Sequence, residues 1–439
     1  MFKSLITLAT LSLLLGSSIA ATEEILMVVE ISRHGARESS KIFNFTVDPA
    51  LNFNSTGNIM PLGKKQHFEL GQLIKQKYIV NYPLLSENYS NNEMFVQTTF
   101  KQRTYLSSLY QLMGMYPDNQ PSLSDYINYD IGKEDYLSPI QRTGSIKPKT
   151  NTFNVMQVDA DQDFLLHVDK DNCPRYGAVA SLTSSSDQYK NVQKYFTDNY
   201  KDQLQQLTNT TISTVKEMVD ICGYLQWAEL ANLSLTFKPK PEDDNYCLAL
   251  GDSKLYSVSY GLDELWKLGS FEFLNKLVYI SNALNSDQQR KARGIKSLDK
   301  LPKMIHYAAH AETIAAFFDG LGIHRTVRSF PGSALFFEFV KVDGKLNIRM
   351  YYYNAQTKQE ESIRFPTQSS DKIQLMDFIA QVKSRLNQIA FSDVEAECKN
   401  TNFTPNQNDY YSGDALLNDL KKCYPLKSKQ LTGFLQAFE

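Results

Sequence analysis

Strand and helix patterns alternate near both ends of the chain, and this alternation constrains its fold more than any other feature. The apolar run 25–32, bounded by Glu24 and Arg33, predicts a buried strand. Further patterns predict a helix at 63–82, a strand at 93–99 and a helix at 102–115, and far downstream a strand at 304–309 and a helix at 312–321. Such alternation is typical of a sheet of the parallel type, built here from distant segments.

The middle of the chain shows mainly helical patterns, at 189–207, 212–230 and 262–284, interrupted at Pro239 and Pro241. Beyond residue 330 the patterns predict a hairpin around Asp343-Gly344, with strands at 335–342 and 346–353, and a helix at 371–389. We therefore predict an α/β protein with a three-layer core of sheet and helices and an inserted, mainly helical cap. The predicted division is core at 21–130, cap at 131–300, and the second part of the core with a C-terminal tail at 301–439.

The first 20 residues have the pattern of a signal peptide. Lys3 supplies a positive start, the apolar stretch 4–16 is too short to span a bilayer comfortably, and Ser18-Ile19-Ala20 predicts cleavage after Ala20. The alternative is a buried N-terminal helix. No other stretch approaches 18 uninterrupted apolar residues and the C-terminus shows no anchor, so we expect a secreted or lysosomal protein without a membrane anchor.

Composition excludes several classes of protein. Hydrophobic residues make up 42% and charged residues 21%, which excludes disordered, collagen-like and coiled-coil chains. Lys and Arg number 46 against 48 Asp and Glu, a formal net charge of −2, so nothing indicates a nucleic-acid partner. Six Asn-x-Ser/Thr sequons are candidate glycosylation sites in a secreted chain, at Asn44, Asn54, Asn88, Asn209, Asn232 and Asn402.

The five cysteines fit an oxidising compartment, in which most should pair. They are Cys173, Cys222, Cys247, Cys398 and Cys423. An odd number leaves one over, and the residues alone allow 15 pairings. None has the spacing of a zinc site, so we expect no metal there.

A candidate anion site directly follows the first predicted strand. In Arg33-His34-Gly35-Ala36-Arg37, two guanidiniums flank an imidazole, and the glycine lets the backbone approach a ligand closely. The carboxyl end of a strand is also where open α/β sheets bind ligands. The alternative, a solvated basic turn, is disfavoured by the position after a buried strand.

These residues resemble the histidine acid phosphatase family, the extracytoplasmic branch of the histidine phosphatases. The segment 33–39 is similar to the family's RHGxRxP, with Ser39 in place of the final Pro. Three further segments resemble family landmarks, at 62–71, 97–104 and 172–176. The segment His310-Ala311-Glu312-Thr313 departs from the His-Asp of many members and is similar to the inositol polyphosphate phosphatase branch.

The resemblance implies a mechanism on named residues. His34 attacks phosphorus to form a phosphohistidine, and Glu312 donates a proton to the leaving group, with Glu38 as the fallback acid. The expected phosphate-binding residues are Arg33, Arg37, Arg103 and His310, with His310 also counted as catalytic. No cofactor or metal is expected, because the arginines supply the positive charge. His67 could approach the pocket, whereas His167, His306 and His324 are expected to be structural.

The resemblance also implies a disulfide between Cys173 and Cys398. Cys222 and Cys247 are then expected to close a short loop in the cap. Cys423 is expected to stay free or to form a disulfide with a second chain. A homodimer is therefore kept as an alternative.

We interpret the chain as an acid phosphatase acting on small phosphorylated substrates. One alternative keeps the enzyme class but makes the substrate phytate or another inositol polyphosphate. Such substrates usually call for extra basic residues, and 38–41 contains only Lys41. The other alternative is an inactive secreted glycoprotein that binds a phosphorylated ligand, which would not need the nucleophile. A mutase of the same superfamily is disfavoured by the signal peptide.

Overall fold

The computed structural model describes residues 23–117, 153–293, 301–366 and 368–426. The predicted signal peptide and the predicted boundary at residue 130 lie outside these ranges. The division into core and cap therefore stays a prediction.

One eight-stranded mixed sheet organises the protein. Its strands are β1 Glu23–Arg33, β2 Met94–Thr98, β3 Met156–Gln157, β4 Met304–Ala309, β5 Ala334–Val342, β6 Lys345–Asn354, β7 Gln359–Ile363 and β8 Lys372–Gln374. The order is β3-β2-β4-β1-β5-β6-β7, and β8 also pairs with β6. The strands β3, β2, β4 and β1 are parallel, whereas β5 to β8 are added in antiparallel fashion. The parallel part of the sheet is thus assembled from distant segments, as predicted.

Eleven α-helices lie within the described residues. They are α1 Pro61–Lys75, α2 Gln102–Met115, α3 Pro174–Ser185, α4 Asp187–Thr208, α5 Val215–Leu230, α6 Pro241–Leu255, α7 Asp263–Ala292, α8 Ala311–Gly320, α9 Leu375–Leu386, α10 Val394–Cys398 and α11 Gly413–Cys423. Among these helices, none is long and apolar enough to span a bilayer.

Helices cover both faces of the sheet, because neighbouring residues of a buried strand point in opposite directions. Val28 of β1 packs in the core formed with α1 and α2, whereas Val29 packs in the core formed with α7, α8 and α9. The result is the three-layer α/β core that the sequence predicts. Helix α7 falls within the range predicted as cap, yet it packs on α8 and α9 against the sheet.

A separate apolar cluster joins helices α4, α5 and α6 with α11 near the C-terminus. The structure has the disulfide between Cys173 and Cys398 that the resemblance implied, and the expected second one between Cys222 and Cys247. Cys423 is free and exposed. The C-terminal helix α11 thus packs on α4 and α6, within the predicted cap range, rather than on the sheet.

Several boundaries differ from the sequence expectations for local reasons. The helix predicted at 371–389 begins only at Leu375, because residues 372–374 pair with β6. The helix predicted at 63–82 is α-helical to Lys75 and continues as π-helical turns over Gln76–Asn81. Pro241 starts the unpredicted helix α6, since proline is well tolerated in the first turn.

Candidate active site

The ends of three parallel strands bring the candidate residues together. Strand β4 lies between β1 and β2, and Arg33 of β1 is in register with Ala309 of β4. His34, His310 and Thr99 each follow the end of one of these strands. They therefore meet at the carboxyl edge of the sheet, where α/β proteins bind ligands.

Close backbone packing explains the glycine of the signature. A Cβ atom on Gly35 would lie 2.3 Å from the carbonyl oxygen of Gly63 in α1, which is too close for any side chain. The same turn is fixed by two hydrogen bonds: Ser107 accepts from the Gly35 N–H at 3.0 Å, and Gln66 accepts from the Ala36 N–H at 2.8 Å. The loop that carries His34 is thus held rigidly against α1 and α2.

The His34 side chain is buried and oriented for attack by one nitrogen. Its Nδ1 lies 2.8 Å from the carbonyl oxygen of Gly35. A carbonyl can only accept, so Nδ1 carries the proton and Nε2 of the neutral ring keeps its lone pair. Burial and the nearby charges of Arg103 and Arg33 hold the pKa of His34 well below its usual value. The lowered pKa favours the neutral, nucleophilic form of the His34 ring.

His310 faces His34 across the site. Their ring centroids are 5.4 Å apart, and Nε2 of His310 lies 3.1 Å from the hydroxyl oxygen of Thr99. Burial, followed by the charges of Arg103 and His167, holds the pKa of His310 well below its usual value. The separation allows both rings to contact one phosphoryl group.

Three guanidiniums surround the two histidines. Burial and the charge of Arg328 lower the pKa of Arg33 to about 9, and burial and the charge of Arg103 lower that of Arg37 to about 10. The Nη1 atoms of Arg37 and Arg103 both lie within 3.9 Å of the point that a Cβ atom on Gly57 would occupy. Mutually repelling cations this close together form a binding site for an anion.

Two of the three arginines, Arg33 and Arg37, are held in place by contacts with neighbouring residues. Arg33 donates to the carbonyl of Ser329, and Arg37 donates to the carbonyl of Glu38 at 2.6 Å. Both guanidiniums also lie over the ring of Trp227 in α5, at 5.8 Å and 4.7 Å from its centroid. The guanidiniums are thereby oriented before any ligand binds.

Glu312 lies in the first turn of α8 and lines a cavity of about 400 Å³ with Arg33, His167, Lys254 and Arg328. Burial raises its pKa, but its own backbone N–H and the charges of His167, Arg103 and Lys254 outweigh burial, so that the pKa is lowered. Its position suits proton transfer to a group leaving through this cavity. The fallback acid, Glu38, instead accepts a hydrogen bond from Thr56.

Four further residues of the site were not predicted from the sequence. Trp227 and Arg328 carry no local signal, because they come from helix α5 and from the loop before β5. Thr99 lies in the segment 97–104, for which the resemblance implied a role of Arg103 alone. His167, expected to be structural, instead has its ring centroid 4.8 Å from that of His310 and lines the cavity.

Comparison with known proteins agrees with this geometry. The family model described as histidine phosphatase superfamily (branch 2) matches residues 24–365, more than three quarters of the chain. Lysosomal acid phosphatase of Xenopus laevis is 25% identical over 408 residues, covering 91% of this chain and 84% of that protein. Prostatic acid phosphatase of Homo sapiens is 24% identical over 359 residues, covering 78% and 81%.

Solved structures are similar in fold. Phytase from Citrobacter braakii gives a TM-score of 0.56 at 13% identity, covering 86% of this chain and 99% of that one. Hafnia alvei phytase in complex with tartrate gives 0.54 at 14% identity, covering 83% and 97%. The sequence match over most of the chain, together with the shared fold, shows that this chain belongs to the histidine phosphatase superfamily, branch 2.

Proposed function

We propose that this protein is an acid phosphatase that hydrolyses phosphate monoesters through a phosphohistidine on His34. The single observation that carries the proposal is a buried histidine, held through its Nδ1–H, whose pKa burial and the nearby guanidiniums hold well below its usual value. The named relatives are acid phosphatases, which supports the same activity. The phytases resemble this chain at only 13–14% identity. This likeness supports the fold but gives no argument for phytate as the substrate.

In the first step, Nε2 of His34 attacks phosphorus in line while the bond from phosphorus to the ester oxygen breaks. Arg33, Arg37 and Arg103 hold the phosphoryl oxygens with His310 and stabilise the charge in the transition state. Glu312 gives its proton to the leaving oxygen, so that an alcohol departs. The guanidiniums supply the positive charge, and we propose no metal or cofactor.

Glu312 needs its proton at the moment the leaving group departs. The cations of the site lower its pKa before substrate binds. A bound phosphate ester brings negative charge close to the carboxylate, which raises the pKa again. Substrate binding in acid therefore prepares the proton donor.

In the second step, the Glu312 carboxylate takes a proton from water, which attacks the phosphohistidine. The bond between phosphorus and Nε2 breaks, phosphate leaves, and His34 returns to its neutral form. The second proton transfer restores the acid for the next cycle.

The experiment is turnover of p-nitrophenyl phosphate together with alkaline trapping of labelled phosphoenzyme. His34→Ala should abolish the trapped label and lower kcat by more than about a thousandfold, because no covalent intermediate can form. His324→Ala is the matched control, since His324 pairs with Asp319 instead. A wild-type protein that binds inorganic phosphate without turnover would instead be the inactive phospho-ligand-binding glycoprotein.

The two disulfides and the lysosomal acid phosphatase relatives fit an extracytoplasmic or lysosomal protein. We propose further that the signal peptide is cleaved after Ala20 and that glycans occupy sequons, all six of whose asparagines are exposed. N-terminal sequencing and the mass lost on treatment with an N-glycosidase test both. A homodimer joined through the exposed Cys423 is tested by electrophoresis without reductant.

A further inference from the structure

A chain of buried polar side chains runs beneath the catalytic loop, and the mechanism does not use it. Glu30 of β1 and His306 of β4 are in register, with Oε2 2.9 Å from Nδ1. Gln111 of α2 donates to the same Glu30 oxygen at 2.6 Å, and its own oxygen lies 3.3 Å from Nδ1 of His67. Nε2 of His67 lies 3.1 Å from the carbonyl oxygen of Arg33. None of the four linked side chains has any solvent exposure.

The end of this chain is the peptide that joins Arg33 to His34. Its carbonyl group receives the His67 contact and a backbone hydrogen bond from Gly332 at 3.2 Å. Fixing this carbonyl fixes the direction in which the chain leaves β1, and with it the position of the His34 ring. His67 acts on the reaction only through this peptide.

When His67 is neutral, the network has one proton too few to make all of its hydrogen bonds. A carbonyl only accepts, so Nε2 of His67 carries the proton and Nδ1 faces the Gln111 oxygen as a second acceptor. Turning the amide over moves the conflict to the Glu30 carboxylate, which then faces the Gln111 oxygen. With the amide oriented as in the structure, one proton added at Nδ1 of His67 lets this nitrogen donate to the Gln111 oxygen and satisfies each of these contacts.

The groups that face His67 limit where it takes up a proton. Glu30 reaches it from β1 through Gln111, His306 lies on β4, and α2 adds the uncharged Gln111. Burial and the charge of His306 lower the pKa of His67 to about 4. The missing proton is therefore gained in the acid range, where an acid phosphatase works.

We propose that His67 is a positioning residue for the catalytic loop, and that uptake of one proton by this buried network tightens its hold on the Arg33 carbonyl. The inference rests on the proposed function, because turnover is its main readout. It predicts that the network affects the rate of the chemical step more than substrate binding.

The test compares two substitutions at one position. In His67→Gln the amide nitrogen replaces Nε2 and keeps the contact with Arg33, whereas in His67→Asn the shorter amide cannot reach it. We expect His67→Asn to lower kcat about tenfold with KM changed less than about twofold, and His67→Gln to recover most of this loss at pH 6.5. Because glutamine takes up no proton, the ratio of wild-type kcat to His67→Gln kcat should rise about threefold as pH falls to 4.

The ratio cancels the ionisations of Glu312 and His34, which both proteins share. His324→Asn is the control, with kcat expected within about twofold of wild type. Equal losses in both His67 variants, or a ratio that stays constant with pH, overturn the inference even if His67→Asn fails to fold. A wild-type protein without turnover contradicts the proposed function instead, and affinity for inorganic phosphate in the His67 variants then shows whether the loop is still held.

Discussion

The histidine proposed as nucleophile works in acid because positive charge surrounds it. Burial, Arg103 and Arg33 together keep His34 unprotonated well below pH 6.5. The cations that would bind the phosphate therefore also preserve the lone pair that attacks it. Activity should be lost on the acid side only where His34 finally takes up a proton.

The loss of activity as pH rises is expected to follow the ionisation of Glu312. In the enzyme–substrate complex, kcat should fall as pH rises through the pKa of this carboxyl, since the ionised form has no proton to donate. Glu312→Gln should remove this falling limb, because the amide does not titrate. The kcat of both proteins, measured from pH 3 to 8, gives the comparison.

The same variant should depend strongly on the leaving group. An alkyl alcohol leaves poorly without a proton, whereas p-nitrophenolate leaves without help. Glu312→Gln should therefore lose about a hundredfold in kcat on alkyl phosphates and much less on p-nitrophenyl phosphate. Glu38→Gln is the control, and equal losses of Glu312→Gln on both substrates would assign the proton to another carboxyl.

At the scale of elements, the close contact between the catalytic loop and α1 is the least tolerant feature of the site. Gly35→Ala would place a methyl group 2.3 Å from the Gly63 carbonyl oxygen, so the loop must shift. We expect kcat to fall at least about a hundredfold, since a 1 Å displacement of a reacting group has an effect of this size.

Gly223→Ala provides the matched substitution. Gly223 lies within α5, and no atom outside its own helix lies within 4 Å of the added Cβ. This variant should keep its kcat and gain up to ~1 kcal/mol in free energy of unfolding, because alanine favours a helix. A Gly35→Ala enzyme with normal kcat would show that the loop tolerates displacement.

Elements that are long and locally patterned could be predicted from the sequence. Strand β4 begins and ends at the predicted residues, and Asp343-Gly344 turns the hairpin between β5 and β6. Strands β3 and β8, of two and three residues, are too short to show a period. The Glu30–His306 pair and Trp227 at the site depend on register and on tertiary packing, which a local pattern does not contain.

At the scale of the molecule, the two disulfides should differ in what they stabilise. Cys173–Cys398 joins residues 225 apart and connects the start of α3 to the end of α10, whereas Cys222–Cys247 closes a separation of 25 between α5 and α6. In the chain-entropy model, losing the longer link costs ~2 kcal/mol more, because it releases more freedom in the unfolded chain. Denaturant unfolding of the two double Cys→Ser variants compares these losses, and equal losses contradict the expectation.

The place of β4 between β1 and β2 also sets when the protein can become active during its synthesis. A ribosome delivers β1 and β2 early, yet these two strands have no direct pairing and must wait for residues 304–309. Until then the sheet does not hold Arg33 and Arg103 near each other, and His310 has not yet been synthesised. A nascent chain that still lacks residues 304–310 should therefore be unable to cleave phosphate esters.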